Sequence, residues 1–409
     1  MKTKGNFGRR DFLKTGLAGA AVLGVPAALR GVSPVGSGKA AATVGDRPFI
    51  YRTLGKTGLK LPVVSMGVMN ADNPDLVRAA LESGMLHLDT AHGYQRGRNE
   101  VMIGEVLKGR PRDSYTIATK VPGPGRDKSM ADISPSEQVE IFRKNFTISL
   151  ERLGLDYVDI FYLHNVDNTE FAALDYILEA LAQEKKDGRA RFVGITTHRN
   201  EPEIIRAAIA CGGYDVVLTA YNFRQDHKDE IRKAIAEAAG AGLGVVAMKT
   251  QAGVYWDKEK QDPINMSAAL KWALNDENVH MAIPGFTTFD QMETDLAVMA
   301  DLTLTEKEWA DLRLDRTATA SGLFCQQCNQ CVPGCPQALP IPDLMRGYMY
   351  AWGYKNIQAG YDLVASLNVP ESPCSNCATC TAHCVKGMDI GARVKDAVRL
   401  RTMPDSLFV

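Results

Sequence analysis

Two stretches near the C-terminal end carry the same arrangement of thiols. Residues 325–336 read C-Q-Q-C-N-Q-C-V-P-G-C-P and residues 374–385 read C-S-N-C-A-T-C-T-A-H-C-V. Each is C-x2-C-x2-C-x3-C, so Cys325, Cys328, Cys331, Cys335 and Cys374, Cys377, Cys380, Cys384 form two matched sets of four. Three thiolates at successive x2 spacing wrap an iron–sulfur cubane, whereas structural zinc favours pairs separated by a longer loop. Zinc and disulfides are the competing readings. Of the 9 cysteines only Cys211 stands apart, in A-I-A-C-G, where it reads as an ordinary buried thiol.

A second constellation lies earlier in the chain. H-L-D-T-A-H-G-Y holds Asp89 and Tyr94, A-T-K-V holds Lys120, and F-Y-L-H-N holds His164. A phenol titrates near 10. An ammonium beside it favours the phenolate and lets the phenol donate a proton near neutral pH. A buried ammonium needs a carboxylate, which Asp89 supplies, and His164 can hydrogen-bond a carbonyl from the other side. Together these residues suit reduction of a carbonyl or oxidation of an alcohol. His92 and His198 have no required part in that chemistry and read as pocket-lining or surface residues.

Such residues must be brought together by strands. Apolar runs fall at 63–68, 85–90, 115–121, 157–164, 191–197, 216–221, 244–249 and 279–284, with amphipathic helical segments between them. Continuous apolar strands are buried on both faces, hence parallel. Eight strand–helix units over about 250 residues predict an α/β fold, a closed (β/α)8 barrel. The rival doubly wound sheet lacks a Gly-x-Gly-x-x-Gly after its first strand. In a barrel, Asp89, Lys120 and His164 end consecutive strands and share the C-terminal rim, with Tyr94 in the adjoining loop. A hairpin, Phe49–Arg52 and Leu59–Leu61 around a Gly55–Gly58 turn, precedes the barrel. After residue 315 the pattern breaks, and the cysteine module occupies 322–409 with a long helical stretch expected over 341–367.

The barrel stretch, D-T-A…G-Y…N-E…I-G, T-K-V, D-I…H and I-P-G, resembles the aldo-keto reductase family over about residues 49–314, within a domain set at 48–315. The resemblance implies a nicotinamide cofactor, NAD(H) or NADP(H), and Asp89, Tyr94, Lys120 and His164 as the catalytic tetrad. It places Thr196 and Thr197 where Ser and Asn usually hold the carboxamide, and Leu218 where a Gln is usual. Met248 and Lys249 stand where an aromatic residue usually stacks. Gly285 and Gln291 stand where basic residues often clamp a 2′-phosphate, and Asp295 is grouped with them as cofactor-binding. The cysteine runs resemble two-cluster ferredoxin modules, in which the fourth cysteine of each run ligates the other cluster. That pattern implies two [4Fe–4S] clusters, one on Cys325, Cys328, Cys331 and Cys384, the other on Cys374, Cys377, Cys380 and Cys335. The clusters then either pass electrons to a redox partner or cap the active site. A non-enzymatic electron-transfer subunit is the third account.

The chain has 409 residues, 45% apolar and 23% charged, with net charge −1, ordinary for a globular protein. That balance gives no electrostatic case for nucleic acid or a membrane surface. Residues 1–42 combine Arg9-Arg10-Asp11-Phe12-Leu13-Lys14, a short apolar stretch and Ala40-Ala41-Ala42. They resemble a twin-arginine signal peptide, which implies export to the periplasm. No other apolar run is long enough for a stable membrane span. The expected partner of the site is a small-molecule carbonyl or alcohol, a sugar or aldehyde.

Overall fold

In the computed structural model the described residues are 43–44, 47–124, 132–252, 264–313, 325–367 and 369–408. The signal-peptide segment 1–42 lies outside them. Among the described residues no helix is long and apolar enough to cross a membrane.

Eight parallel strands follow one another in the sheet in chain order. They are β1 (Met66–Gly67), β2 (His87–Asp89), β3 (Thr116–Pro122), β4 (Val158–His164), β5 (Ala190–Thr197), β6 (Val216–Ala220), β7 (Gly244–Met248) and β8 (Met281–Ala282). A parallel bridge between Val64 and Ala282 joins the ends. Ser65 N–H donates to the Ala282 carbonyl at 2.9 Å and Gly67 N–H to that of Pro284 at 2.9 Å, so the sheet curls into a (β/α)8 barrel. Around it pack α1 (Pro74–Glu82), α2 (Arg98–Leu107), α3 (Pro135–Leu153), α4 (Asp175–Lys186), α5 (Glu201–Cys211), α6 (Lys228–Gly240), α7 (Met266–Leu274) and α8 (Phe289–Val298).

The sequence dictates these elements locally. Ser134 caps α3 by accepting from Glu137 N–H while the Glu137 carboxylate returns to the Ser134 N–H, with Pro135 at the first position. Gly154 ends the helix in the left-handed region at φ 64°. The hairpin of Tyr51–Thr53 and Lys60–Pro62 closes the barrel's lower end. Leu54, Leu59 and Leu61 are buried against Ala118, Ile160, Tyr162 and Val216, the barrel's inner face. Each such side chain contributes about 1.5–3 kcal/mol of apolar burial.

The C-terminal module is helical: α9 (Ile341–Tyr348), α10 (Ile357–Ser366) and α11 (Ile390–Arg399) surround a separate core that includes Leu344, Val364 and Ala397. The single helix expected over 341–367 is in fact two. After α9 a π-helical turn, Met349–Gly353, leads to Lys355 at φ 57°, and Asn356 opens α10 by capping Ala359 N–H. The break lets the two helices fold against each other at glycines: a Cβ on Gly360 would stand 2.8 Å from the Gly347 carbonyl oxygen.

Candidate active site and cysteine centres

Alternation along the strands explains why the tetrad converges. Asp89 pairs with Ala118, whose side chain lies in the barrel interior, so Lys120, two residues on, points the same way. Lys120 in turn pairs with Tyr162, also interior, and His164 is two residues beyond it. Lys120 Nζ bonds Asp89 Oδ1, donates to the Thr90 carbonyl at 2.6 Å and lies 3.4 Å from the Tyr94 hydroxyl. The Tyr94 and His164 rings meet edge-on with centroids 6.0 Å apart. The loop carrying Tyr94 is pinned by Thr90 Oγ1 donating to Asn99 Oδ1 at 2.6 Å, and Asn99 Nδ2 donates to the Val68 carbonyl at 2.8 Å. Glu100 beside it accepts from Thr119 Oγ1 at 2.6 Å and pairs with Arg152 at 3.2 Å.

Burial pushes the Asp89 carboxyl up and the Lys120 ammonium down, while the charge of each draws the other back. Tyr94 departs from the expectation. Its phenol is held well above its ordinary value, by burial first, then by Asp89 and by Tyr350 and Tyr354. Desolvation outweighs the nearby ammonium, and the group is held as a phenol, the form that gives a proton.

The tetrad opens into a cavity of about 390 Å³ between the barrel rim and the cysteine module. Asp89, Tyr94 and His164 line it from below, and Met248, Lys249, Gly285 and Gln291 from one side. Cys325, Arg346, Tyr350 and Tyr354 close it from the module. His198 also lines it. Three expected cofactor residues do not reach the cavity. Thr196 Oγ1 accepts from Asn165 N–H at 2.7 Å, and Thr197 Oγ1 donates to the Arg199 carbonyl at 2.7 Å. Both hydroxyls are bonded within local turns. Asp295 is fully buried behind the wall, where it accepts from Gln251 Nε2 at 2.9 Å. His92 sits outside as well, bonded to Ser149 Oγ at 3.1 Å. Cys211 is half-buried and approaches the Ala208 carbonyl of its own helix.

The module is tied down by polar contacts that no barrel motif announced. Arg199 donates to Asp343 Oδ1 and Gln327 Oε1, both at 2.9 Å. Asp226 pairs with Lys386 at 2.5 Å and accepts from Gln326 at 2.8 Å. Arg96 pairs with Asp362 at 2.7 Å. The aromatic run 348–354, Y-M-Y-A-W-G-Y, was the available signal for the closing wall. It stacks Tyr350 on Tyr354 at 5.6 Å and sets both against Lys249, 5.4 and 5.8 Å from its Nζ.

The cysteines gather in the crossed sets. One void is lined by Cys325, Cys328, Cys331 and Cys384, the other by Cys335, Cys374, Cys377 and Cys380. Among the described residues no three His, Cys, Asp or Glu side chains converge tightly enough for a single ion. Thiols standing around a void suit a cubane better than zinc at 2.3 Å. Burial pushes the Cys325 thiol up to about 12 and that of Cys331 up to about 11, so a thiolate at either position needs a cation beside it.

The barrel and the module each match a known family. The aldo/keto reductase family model matches residues 64–268, half of the 409-residue chain. The chain belongs to the aldo/keto reductase family. A 4Fe-4S dicluster domain matches residues 324–389. L-galactose dehydrogenase of Arabidopsis thaliana is 28% identical over 293 residues, 61% of this chain and 88% of that protein. L-glyceraldehyde 3-phosphate reductase of Escherichia coli K12 is 33% identical over 164 residues, 37% of this chain and 46% of that one. Among solved structures, an aldo-keto reductase from Bacillus halodurans in its holo form superposes with TM-score 0.52 at 23% identity, covering 65% of this chain and 95% of that chain. One from Klebsiella pneumoniae in complex with NADPH gives 0.50 at 20% identity, with 65% and 95% covered. These likenesses show the barrel fold, and the family marks this aldo/keto reductase as an oxidoreductase.

Proposed function

We propose that this aldo/keto reductase interconverts a small carbonyl compound and its alcohol, and that two [4Fe–4S] clusters pass the electrons to or from a redox partner. The observation that carries the electron path is that Cys325 lines both the substrate cavity and the first cysteine void. The second void lies toward solvent, since Cys380 is exposed. The order is therefore cavity, first cluster, second cluster, surface. Alcohol oxidation gives up two electrons and two protons. The pair would leave with one proton as a hydride to a bound nicotinamide, the second proton leaving through Tyr94, and two one-electron clusters would have the capacity to relay that pair onward.

In the reductive direction the Tyr94 phenol, kept protonated by burial and by Asp89, gives its proton to the developing alkoxide. Lys120 and Asp89 hold the hydroxyl in place, and His164 orients the carbonyl from the ring edge. A nicotinamide, when bound, exchanges the hydride. Met248, Gly285 and Gln291 would hold it, because they line the cavity, whereas Thr196 and Thr197 are absent from that lining.

A second reading, in which the clusters only shape the site, is favoured by Tyr350 and Tyr354, which close the cavity from the module. One measurement separates the two. Anaerobic addition of substrate and nicotinamide to the purified protein should bleach the cluster absorbance if the path is used. Clusters that stay oxidised while turnover proceeds leave only the capping role.

A further inference from the structure

Two cations on the cavity wall, Lys249 and Arg346, are incompletely answered by protein groups, whereas the carboxylates that also line it, Asp89, Glu201 and Asp362, pair with Lys120, His227 and Arg96. Lys249 follows β7 at φ 58°, a backbone region uncommon for a long side chain, and its ammonium stands against two tyrosine rings and hydrogen-bonds the side chain of Tyr350, a neutral partner. Among the described residues no carboxylate pairs with it. Arg346 is only 6% exposed, lines the same cavity, and its Nε–H has no acceptor. Its one carboxylate contact is Asp343 Oδ1, and that same oxygen also accepts from Arg199. Arg199 pairs with Asp167 at 3.3 Å as well, so Arg346 only shares its carboxylate, and Lys249 adds a cation that no carboxylate among the described residues answers. Tyrosine faces attract a cation without neutralising it. Shielded charge of this kind is costly unless an anion joins it.

We infer that the cavity holds an oxyanion of its ligand, a carboxylate or a phosphate, between Lys249 and Arg346, so that the substrate is an acidic carbonyl or hydroxy compound. The inference rests on the oxidoreductase reading for the other end of the ligand, which lies at Tyr94 and His164. An anionic first cluster on Cys325 can answer Arg346. The charge of Lys249 is felt at Lys120 beside the tetrad. Between the two ends the wall is supplied by Met248, Met345 and Met349, flexible thioethers that pack on a short carbon chain. A neutral sugar would leave the cations unanswered; an acid with its carbonyl a few carbons away satisfies both ends.

The test uses the holoprotein and a near-isosteric set of probes: butanal, 4-oxobutanoate and phosphonoacetaldehyde. The wild type should favour the charged probes at least tenfold in kcat/KM, and Lys249→Met should erase tenfold or more of that preference, mostly through KM. Lys249→Arg should restore part of it. Equal use of butanal and 4-oxobutanoate by the wild type, or a preference that Lys249→Met leaves intact, overturns the inference. If Lys249→Met weakens NADPH binding tenfold while the preference persists, the cations hold a cofactor phosphate and the substrate assignment is wrong. If only the cluster spectrum or potential moves, they serve the cluster and the assignment is equally wrong. Calorimetric binding of 4-oxobutanoate, lost in Lys249→Met, gives a readout without turnover. Should it be seen while no probe is turned over, the oxyanion site stands and the oxidoreductase reading falls.

Discussion

Replacing Lys120 by Met tests the centre of the site most directly. Lys120 and Asp89 are 1% and 2% exposed, and the second carboxylate oxygen, Asp89 Oδ2, has no hydrogen-bond partner. Removing the ammonium therefore strands a buried carboxylate whose counter-charge among the described residues was Lys120, and it also leaves the Thr90 carbonyl without that donor. Breaking a buried pair from one side costs about 3–5 kcal/mol. Replacing both partners, Asp89→Asn with Lys120→Met, removes the stranded charge and should recover at least about 2 kcal/mol of that loss. Guanidinium denaturation of the anaerobic holoprotein, comparing midpoints at equal slope, measures the cycle. Turnover should behave differently. Lys120→Met and the double variant remove the group that holds the Tyr94 hydroxyl, and Asp89→Asn removes the carboxylate that holds that group, so all three should lose activity by similar factors instead of additively. A Lys120→Met protein within about 1 kcal/mol of wild type, or a double variant at the sum of the singles, would refute the pairing described here.

Tyr94→Phe should lower carbonyl reduction by about 10²–10⁴-fold, the usual worth of a positioned proton donor, with nicotinamide binding by fluorescence titration retained. Unchanged turnover would remove Tyr94 from the chemistry. Cys335→Ser, although it lies in the first run, should disturb the second cluster, because Cys335 shares its void with Cys374, Cys377 and Cys380. Iron content should fall from about eight toward four per chain, with the cavity-side cluster kept, and loss of that cluster instead would contradict the crossing.

The parts of the molecule that were legible from sequence are those whose cause is local. Strands buried on both faces read as apolar runs, and all eight lie within the runs read from sequence or within a residue of them. Their two-residue alternation was enough to bring Asp89, Lys120 and His164 to one rim. The crossed cysteine sets were legible through the resemblance of the two runs to two-cluster ferredoxin modules, in which the fourth cysteine of each run serves the other cluster. Other features were set by contacts the pattern does not show. Thr196 and Thr197 lie outside the cavity lining, with their hydroxyls bonded to backbone groups of neighbouring turns. The apolar period of 341–367 continues through the Met349–Asn356 break, and only the contact of Gly347 with Gly360 across the fold shows why the chain turns there. The acidity of Tyr94 was misjudged because burial outweighs the other causes, and Asp89 and the module's tyrosines, more than 250 residues away, add to it electrostatically.

The closure of the mouth by Tyr350 and Tyr354 has a bearing on how such a chain can change. In most barrels the loops after the strands do two jobs at once, carrying catalytic groups and choosing the substrate. Here much of the choosing face comes from a π-helical turn on a module with its own core. Substitutions in residues 345–354 can reshape the cavity without touching β2, β3 or β4, where the proton chemistry is held. Reaction and selectivity are thus written in separate stretches of one polypeptide, and a new substrate can be adopted while the old chemistry stays intact.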